Sequence, residues 1–399
     1  MYAGLTGSFT NWEQLGKWIY EKLLVNRAEI PLETATHMKE MTAGIADSKL
    51  KAKKIYEYMQ QKTRYISVQI GVGGFQPFLA SDVDKLSYGD CKALVNYTKV
   101  LLKAVGIDSY YCVVQAGREH KINLLNDFAS MDQGNHVILC IPFKNDTTWL
   151  ECTNQKMPFG FLSDFTDDRT VLACTPEGGK LLRTPKYTKE ENLEKRRANF
   201  VLNETGELIG NIETFFKGTN YDAREWMIDN SRSEQLKDIR KVYPINNLEI
   251  SKLEFKQDKG PQPLTTEEIA LSAREYGAIN DGRYYFMLNS VNRVGAPLKA
   301  VRNRQTPVSI TRGYTEEDEI TYILPKGDKL DCEPLNLNID KPFGKFTAVM
   351  TLKGNTLIYN RKFQLNDGLY DKDTYQDLVD FYQTVVDADE YSVVMVKSN

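Results

Sequence analysis

The apolar residues of this 399-residue chain change rhythm once, at the charged stretch KYTKEENLEKRR (Lys186–Arg197), and that change limits what the chain can fold into. Before it, helical spacings alternate with short β-branched runs. After it, Leu208, Ile212, Thr214 and Phe216 fall on one side of an alternating pattern, as do Leu253 and Phe255. A period of about 3.6 buries a helix face, and a period of about two buries a strand face. An α+β chain is therefore expected: a mixed core over residues 1–187, then β-rich, sandwich-like modules. Residues 188–305 read as a β module with helical insertions, and 306–399 as a C-terminal β module with one helix.

Within the first part, Trp12, Leu15, Ile19 and Leu23 recur at helical spacing behind a cap at Thr10 or Asn11. A second helix is expected over Ser48–Lys62, followed by a strand over Arg64–Ile70. Gly71, Gly73 and Gly74 lack the spacing of a dinucleotide-binding loop and read as a turn. The clearest helix spans about Asp90–Val105, with Leu94, Thr98, Leu101 and Leu102 on one face and Gly106 where a helix should stop. Strands are expected at Ser109–Gln115, His136–Ile141 and Thr148–Cys152, the last two joined by a polar turn at Lys144–Asp146. Later strand signals are Glu319–Leu324, Lys345–Leu352, Thr356–Leu365 and Tyr391–Val396, with a helix around Tyr375, Leu378, Val379 and Tyr382.

Composition removes several classes of function. Lys+Arg of 51 against Asp+Glu of 54 gives a net charge of −3, without the basic excess that a nucleic-acid partner needs. No apolar run reaches the roughly 18 residues of a membrane span. The opening MYAGLTGSFTNWEQLG has no basic flank before an apolar core, so no signal peptide is expected. Six cysteines, at 91, 112, 140, 152, 174 and 332, are too sparse for a disulfide framework and too far apart for a zinc knuckle or Cys-x-x-C motif. Only His37, His120 and His136 could supply an imidazole. His37 reads as a helix-surface residue and His120, in GREHK, as a loop residue.

Cys91 stands apart. The segment SYGDCKALVNYTKVLLKAVGID puts it in the first turn of the strongest helix, where free backbone N–H groups and the helix dipole favour a thiolate. Asp90 reads as the helix cap, and Gly89 as a site of close backbone approach. The other reading of Cys91 is a small buried residue at a helix start. His136 opens one expected strand and Glu151 ends the next. If the chain reverses between them, the two lie opposite each other on one face, and the carboxylate can orient the imidazole toward the thiol. Gln69 is a candidate side-chain oxyanion donor. Trp149, Asn135 and Tyr88 are candidates to line the cleft, Trp149 reading also as core. Cys112, Cys140 and Cys174 read as core, and Cys152 should face away from Glu151.

GDCKALVNYTKVLLKAVGID, NHVILCIPF and WLECT, in that order, resemble the three motif blocks of the transglutaminase-like superfamily, which shares the papain-related fold. The similarity is greatest to bacterial multidomain members with β-rich domains on either side of the core, and it covers about Lys51–Pro185. The resemblance implies a Cys91 nucleophile, a His136 base and a Glu151 orienting acid, acting in thiol-dependent acyl transfer on peptide or protein amides. Peptidase, deamidase and transglutaminase outcomes all stay open, as does a non-catalytic protein that uses its β modules to bind a partner. No metal or organic cofactor is implied, and oligomeric state is not indicated. The resemblance also implies an exported or periplasmic location and a further N-terminal β-rich module outside this chain. Two positions depart from the resembled pattern: the acid is usually aspartate, and the residue two before the histidine, here Gly134, is often aromatic. These departures lead one to expect a relaxed His–carboxylate geometry and a more open site.

Overall fold

The computed structural model describes residues 7–68, 74–144 and 146–396. Helices and sheets are mixed, and the chain divides into two compact units: Met1–Lys186 with Lys259–Pro261, and Tyr187–Asp258 with Gln262–Asn399.

The first unit contains helices α1 (Trp12–Ile19), α2 (Leu32–Met41), α3 (Ser48–Lys62), α4 (Ala80–Leu86) and α5 (Cys91–Ala104). Asn11 caps α1 by accepting from the Gln14 amide, and Asp47 caps α3. A five-stranded antiparallel sheet is built from β3 (Tyr110–Val114), β4 (His136–Phe143), β5 (Asp146–Leu150), β6 (Thr170–Thr175) and β7 (Gly178–Arg183), in the order β5-β4-β3-β6-β7. The strand expected over Arg64–Ile70 is only β1 (Arg64–Tyr65), paired parallel to β2 (Tyr88–Gly89). Its partner ends where Asp90 caps α5, so the ladder has nothing further to pair with.

Helix α5 is buried on nearly all sides, because other helices of this unit pack against it as well as the sheet. Its apolar residues Leu94, Val95, Leu101 and Leu102 sit in the main core with Val137, Leu139 and Ile141 of β4. Each such side chain contributes roughly 1.5–3 kcal/mol by leaving water. Its polar residues survive burial because each finds a partner. The Asn96 amide donates to the Arg27 carbonyl at 2.8 Å, Thr98 to the Leu94 carbonyl at 2.7 Å, and the Tyr97 hydroxyl to Asp84 at 2.6 Å. Gly106 ends the helix at φ +78°, with the Ile107 amide bonded back to the Leu102 carbonyl at 3.0 Å. The alternate residues of β4, Ile138 and Cys140, face a separate cluster with Cys112, Trp149 and Leu162.

The second unit is built on an eight-stranded sheet. Its strands run in the order Leu248–Asp258, Leu264–Ala273, Leu208–Lys217, Leu193–Leu202, Tyr314–Ile323, Thr356–Leu365, Gly344–Lys353 and Asn336–Lys341. All pairs are antiparallel except Leu193–Leu202 with Tyr314–Ile323. Strands from both sides of residue 305 share this sheet, so a separation of 188–305 from 306–399 has no counterpart in it. A four-stranded sheet and the helix Tyr375–Asp389 contribute to the same apolar core. Arg361 is fully enclosed there and is neutralised by Asp389 at 2.8 Å, Glu316 at 2.8 Å and Asp318 at 3.1 Å. Such a cluster holds only while every member is paired.

Candidate active site

Three separated stretches of the first unit bring a sulfur, an imidazole and a carboxylate together. Cys91 is the first residue of α5. The preceding Asp90 accepts from the Ala93 amide at 2.9 Å, the helix cap that the sequence suggests. The second oxygen of Asp90 pairs with Lys92 at 2.6 Å, so the two charges flanking the cysteine, both buried, neutralise each other. Gly89 is required here by close packing, though not of another backbone: a Cβ would sit 2.8 Å from that of Ala93 in the first turn of α5.

His136 begins β4, and Glu151 stands one residue beyond β5. The ladder pairs Leu139 with Leu150, so continuing its register sets Glu151 across from Ile138 rather than from His136. The two residues therefore meet on a diagonal, which the long glutamate side chain spans. Glu151 Oε2 lies 2.9 Å from His136 Nε2. Its other oxygen, Oε1, accepts from the Thr153 amide at 3.0 Å and the Thr153 hydroxyl at 2.6 Å. From α3, the Tyr56 hydroxyl donates to the Glu151 carbonyl at 2.6 Å, fixing the backbone below the carboxylate. With Nε2 occupied, Nδ1 is the ring nitrogen left for the Cys91 thiol, which hydrogen-bonds His136. The ring of Phe165 packs against the imidazole with centroids 5.3 Å apart.

Burial works against a charged imidazole at this position. The Glu151 carboxylate and the Cys91 side chain outweigh it and hold the His136 pKa up at about 10, against an ordinary 6.5. Burial likewise pushes the Glu151 carboxyl up, but the facing imidazole and the Thr153 bonds overcome it and keep it below the usual carboxylate range. The two shifts agree: each group is held charged by the other.

The thiol and the imidazole open into a cleft of about 220 Å³, walled by Phe75, Tyr111, Val113, Met131 and Val137. That is below the roughly 300–1,000 Å³ of sites that engulf a small-molecule ligand. It suits one or two side chains of a peptide better than a bulky cofactor. Burial raises the Tyr111 phenol well above its ordinary range, so this wall stays a neutral hydroxyl.

Asn135 lines the cleft as expected, and its amide also clamps both backbone groups of Ala116. Two other lining assignments need correction. Trp149 packs in the core beneath Glu151 with Cys112 and Cys140, because the strand turns it to the buried face. Tyr88 sets its ring edge-on against Phe78 instead of facing the cleft. Gln69, Gly71 and Gly73 lie outside the described residues. His37 and His120 are exposed. Cys112, Cys140 and Cys174 are core residues, and Cys152 faces α5, where it bonds Thr98, on the opposite side from Glu151.

The Gly134 departure has a packing cause. A Cβ at this position would lie 2.2 Å from Val113 Cγ1, so Val113 already fills the space a side chain would take. Valine is stiff about χ1 and cannot swing aside cheaply. Gly134→Ala is therefore expected to cost about 1–3 kcal/mol of stability through overpacking. The urea midpoint measures this, and an unchanged midpoint would mean that β3 yields freely. Sequence reasoning missed Thr153, Tyr56 and Phe165, which support the triad-like cluster. Thr153 is the one with a local signal, a hydroxyl two residues after an acid.

Comparison with known proteins bears on the fold. Residues 282–395 match a domain of unknown function with a solved structure, DUF3858. No curated protein matches the chain. A crystal structure from Parabacteroides distasonis, of a protein provisionally described as a protease, is similar with a TM-score of 0.54 and 14% identity. The match covers 96% of this chain and 58% of that one, so this chain spans less than two thirds of its neighbour. Fold and site together define a mixed α+β protein with a thiol, an imidazole and a carboxylate at one cleft.

Proposed function

We propose that this chain is a thiol-dependent hydrolase of peptide or protein amides, with a papain/transglutaminase-like core. The observation that carries the reading is the convergence of Cys91, His136 and Glu151 at the mouth of a peptide-sized cleft. The provisional protease description of the Parabacteroides neighbour agrees with it.

In this reaction the Cys91 sulfur attacks the amide carbonyl carbon, and the thiol proton resides on His136 Nδ1. The tetrahedral oxyanion forms beside the first turn of α5, whose free N–H groups favour negative charge. The imidazolium then protonates the leaving nitrogen as the C–N bond breaks, leaving a thioester on Cys91. Water attacks the thioester, giving its proton to His136, and the C–S bond breaks to release the acid. Glu151 keeps Nε2 engaged throughout, so Nδ1 stays aimed at the sulfur.

Alkylation tests the first step. Iodoacetamide at neutral pH should label Cys91 well before the other five cysteines. Burial pushes the thiols of Cys112, Cys152 and Cys174 well above their ordinary range. Slow and equal labelling of all six would remove the activated nucleophile. Adding an amine acceptor during turnover separates water from amine as the second substrate, through the product formed.

A further inference from the structure

The second unit holds a pocket of about 360 Å³ whose lining includes Arg293, Glu275, Tyr276, Tyr285 and Met287. We infer that this pocket binds the free C-terminal carboxylate of a peptide, with the Arg293 guanidinium as its anchor.

Arginine pairing in this unit sets Arg293 apart. Arg196 meets Asp318 at 3.0 Å, Arg224 meets Glu267 at 2.7 Å, and Arg361 meets Asp389 at 2.8 Å. Arg293, half-buried in the pocket wall, pairs with no carboxylate among the described residues. Its Nη1 rests 2.8 Å from Met287 Sδ, a weak acceptor that leaves most of the five-donor fork unused. Met287 is itself held in place, because the Tyr276 hydroxyl donates to its carbonyl at 2.6 Å. The pocket's own acid, Glu275, does not reach the arginine and accepts instead from Asn247 at 3.4 Å.

The chemistry of the lining selects among anions. A guanidinium matches a planar carboxylate with two parallel hydrogen bonds. A phosphate dianion would want further cations, whereas this wall carries Glu275, which repels a second charge. The same Glu275 can accept from the amide N–H of a peptide. Pro244, Ile245 and the partly exposed Tyr285 offer apolar surface for a terminal side chain.

The test is calorimetric titration of the full chain, carrying Cys91→Ala so that no probe is consumed, with N-acetyl-alanyl-phenylalanine and its C-terminal amide. The acid should bind, and the amide should bind about tenfold or more weakly, since it loses a charge-assisted pair. Arg293→Ala should weaken the acid to the level of the amide. Arg293→Lys keeps the charge without the fork and should fall between them, and it retains a long side chain should the alanine variant fail to fold. Equal binding of acid and amide, unchanged binding in both arginine variants, or displacement of the acid by equimolar inorganic phosphate would each overturn the assignment. None of these outcomes depends on Cys91 chemistry.

Discussion

Cys91→Ala is expected to leave the protein folded and to lower kcat/KM for peptide hydrolysis by on the order of a thousandfold or more. The fold should tolerate it, because the exchange removes one sulfur at the edge of a cleft and leaves the helix cap on Asp90 intact. Activity should not survive, because no neighbouring group can form the thioester. Cys152 points toward α5, and Cys174 is sealed in the core. His136→Ala should cost nearly as much, and the double variant little more than either single one, since the two act as a unit. Steady-state kinetics on a fluorogenic peptide, beside thermal denaturation of each variant, measures both halves. A Cys91→Ala protein that keeps substantial turnover would end the enzymatic reading at this site. One that instead keeps a binding phenotype unchanged would favour a recognition protein on the same fold.

Much of the site's frame was legible because it is local. The helix from Cys91, its cap at Asp90 and its stop at Gly106 follow from spacing and capping chemistry alone, and the structure reproduces them to within a residue. The long strands Gly344–Lys353 and Thr356–Leu365 and the helix Tyr375–Asp389 stand where alternation and helical spacing put them. Legibility stops where the determining contact comes from far along the chain. Tyr56 reaches Glu151 across 95 positions, and no period encodes that meeting. Register is the other limit. An alternating pattern says that His136 and Glu151 share a face, but only the ladder through Leu139 and Leu150 makes the pair diagonal. That offset also answers the aspartate departure, since the extra methylene serves to span the diagonal. Tyr88 was misplaced for a related reason: a two-residue strand has too little alternation to say which way its ring turns.

Glu151→Gln is expected to have the second largest effect, and pH should expose it. In the native protein His136 stays cationic up to about 10, because the carboxylate and the Cys91 side chain outweigh burial. Glutamine keeps the shape and removes the charge, so burial prevails and the imidazole loses its proton at much lower pH. The thiolate then lacks its cationic partner at neutral pH, and kcat/KM should fall by roughly a hundredfold or more. The basic limb of its pH profile, near 10 in the wild type, should move down by several units. Stability carries the same signature. A folded pKa above the unfolded one stabilises the protein fully below about 6.5 and ceases to do so as pH rises through about 10. Glu151, held low, stabilises above its unfolded value of 4.5 and ceases to do so as pH falls through its folded one. The wild type should therefore lose denaturant resistance between about pH 7 and pH 10, while Glu151→Gln, with its imidazole already neutral, should change much less. Parallel pH profiles for the two proteins would mean that the carboxylate does not control the charge on the ring, and the Cys–His–Glu mechanism would lose its third member.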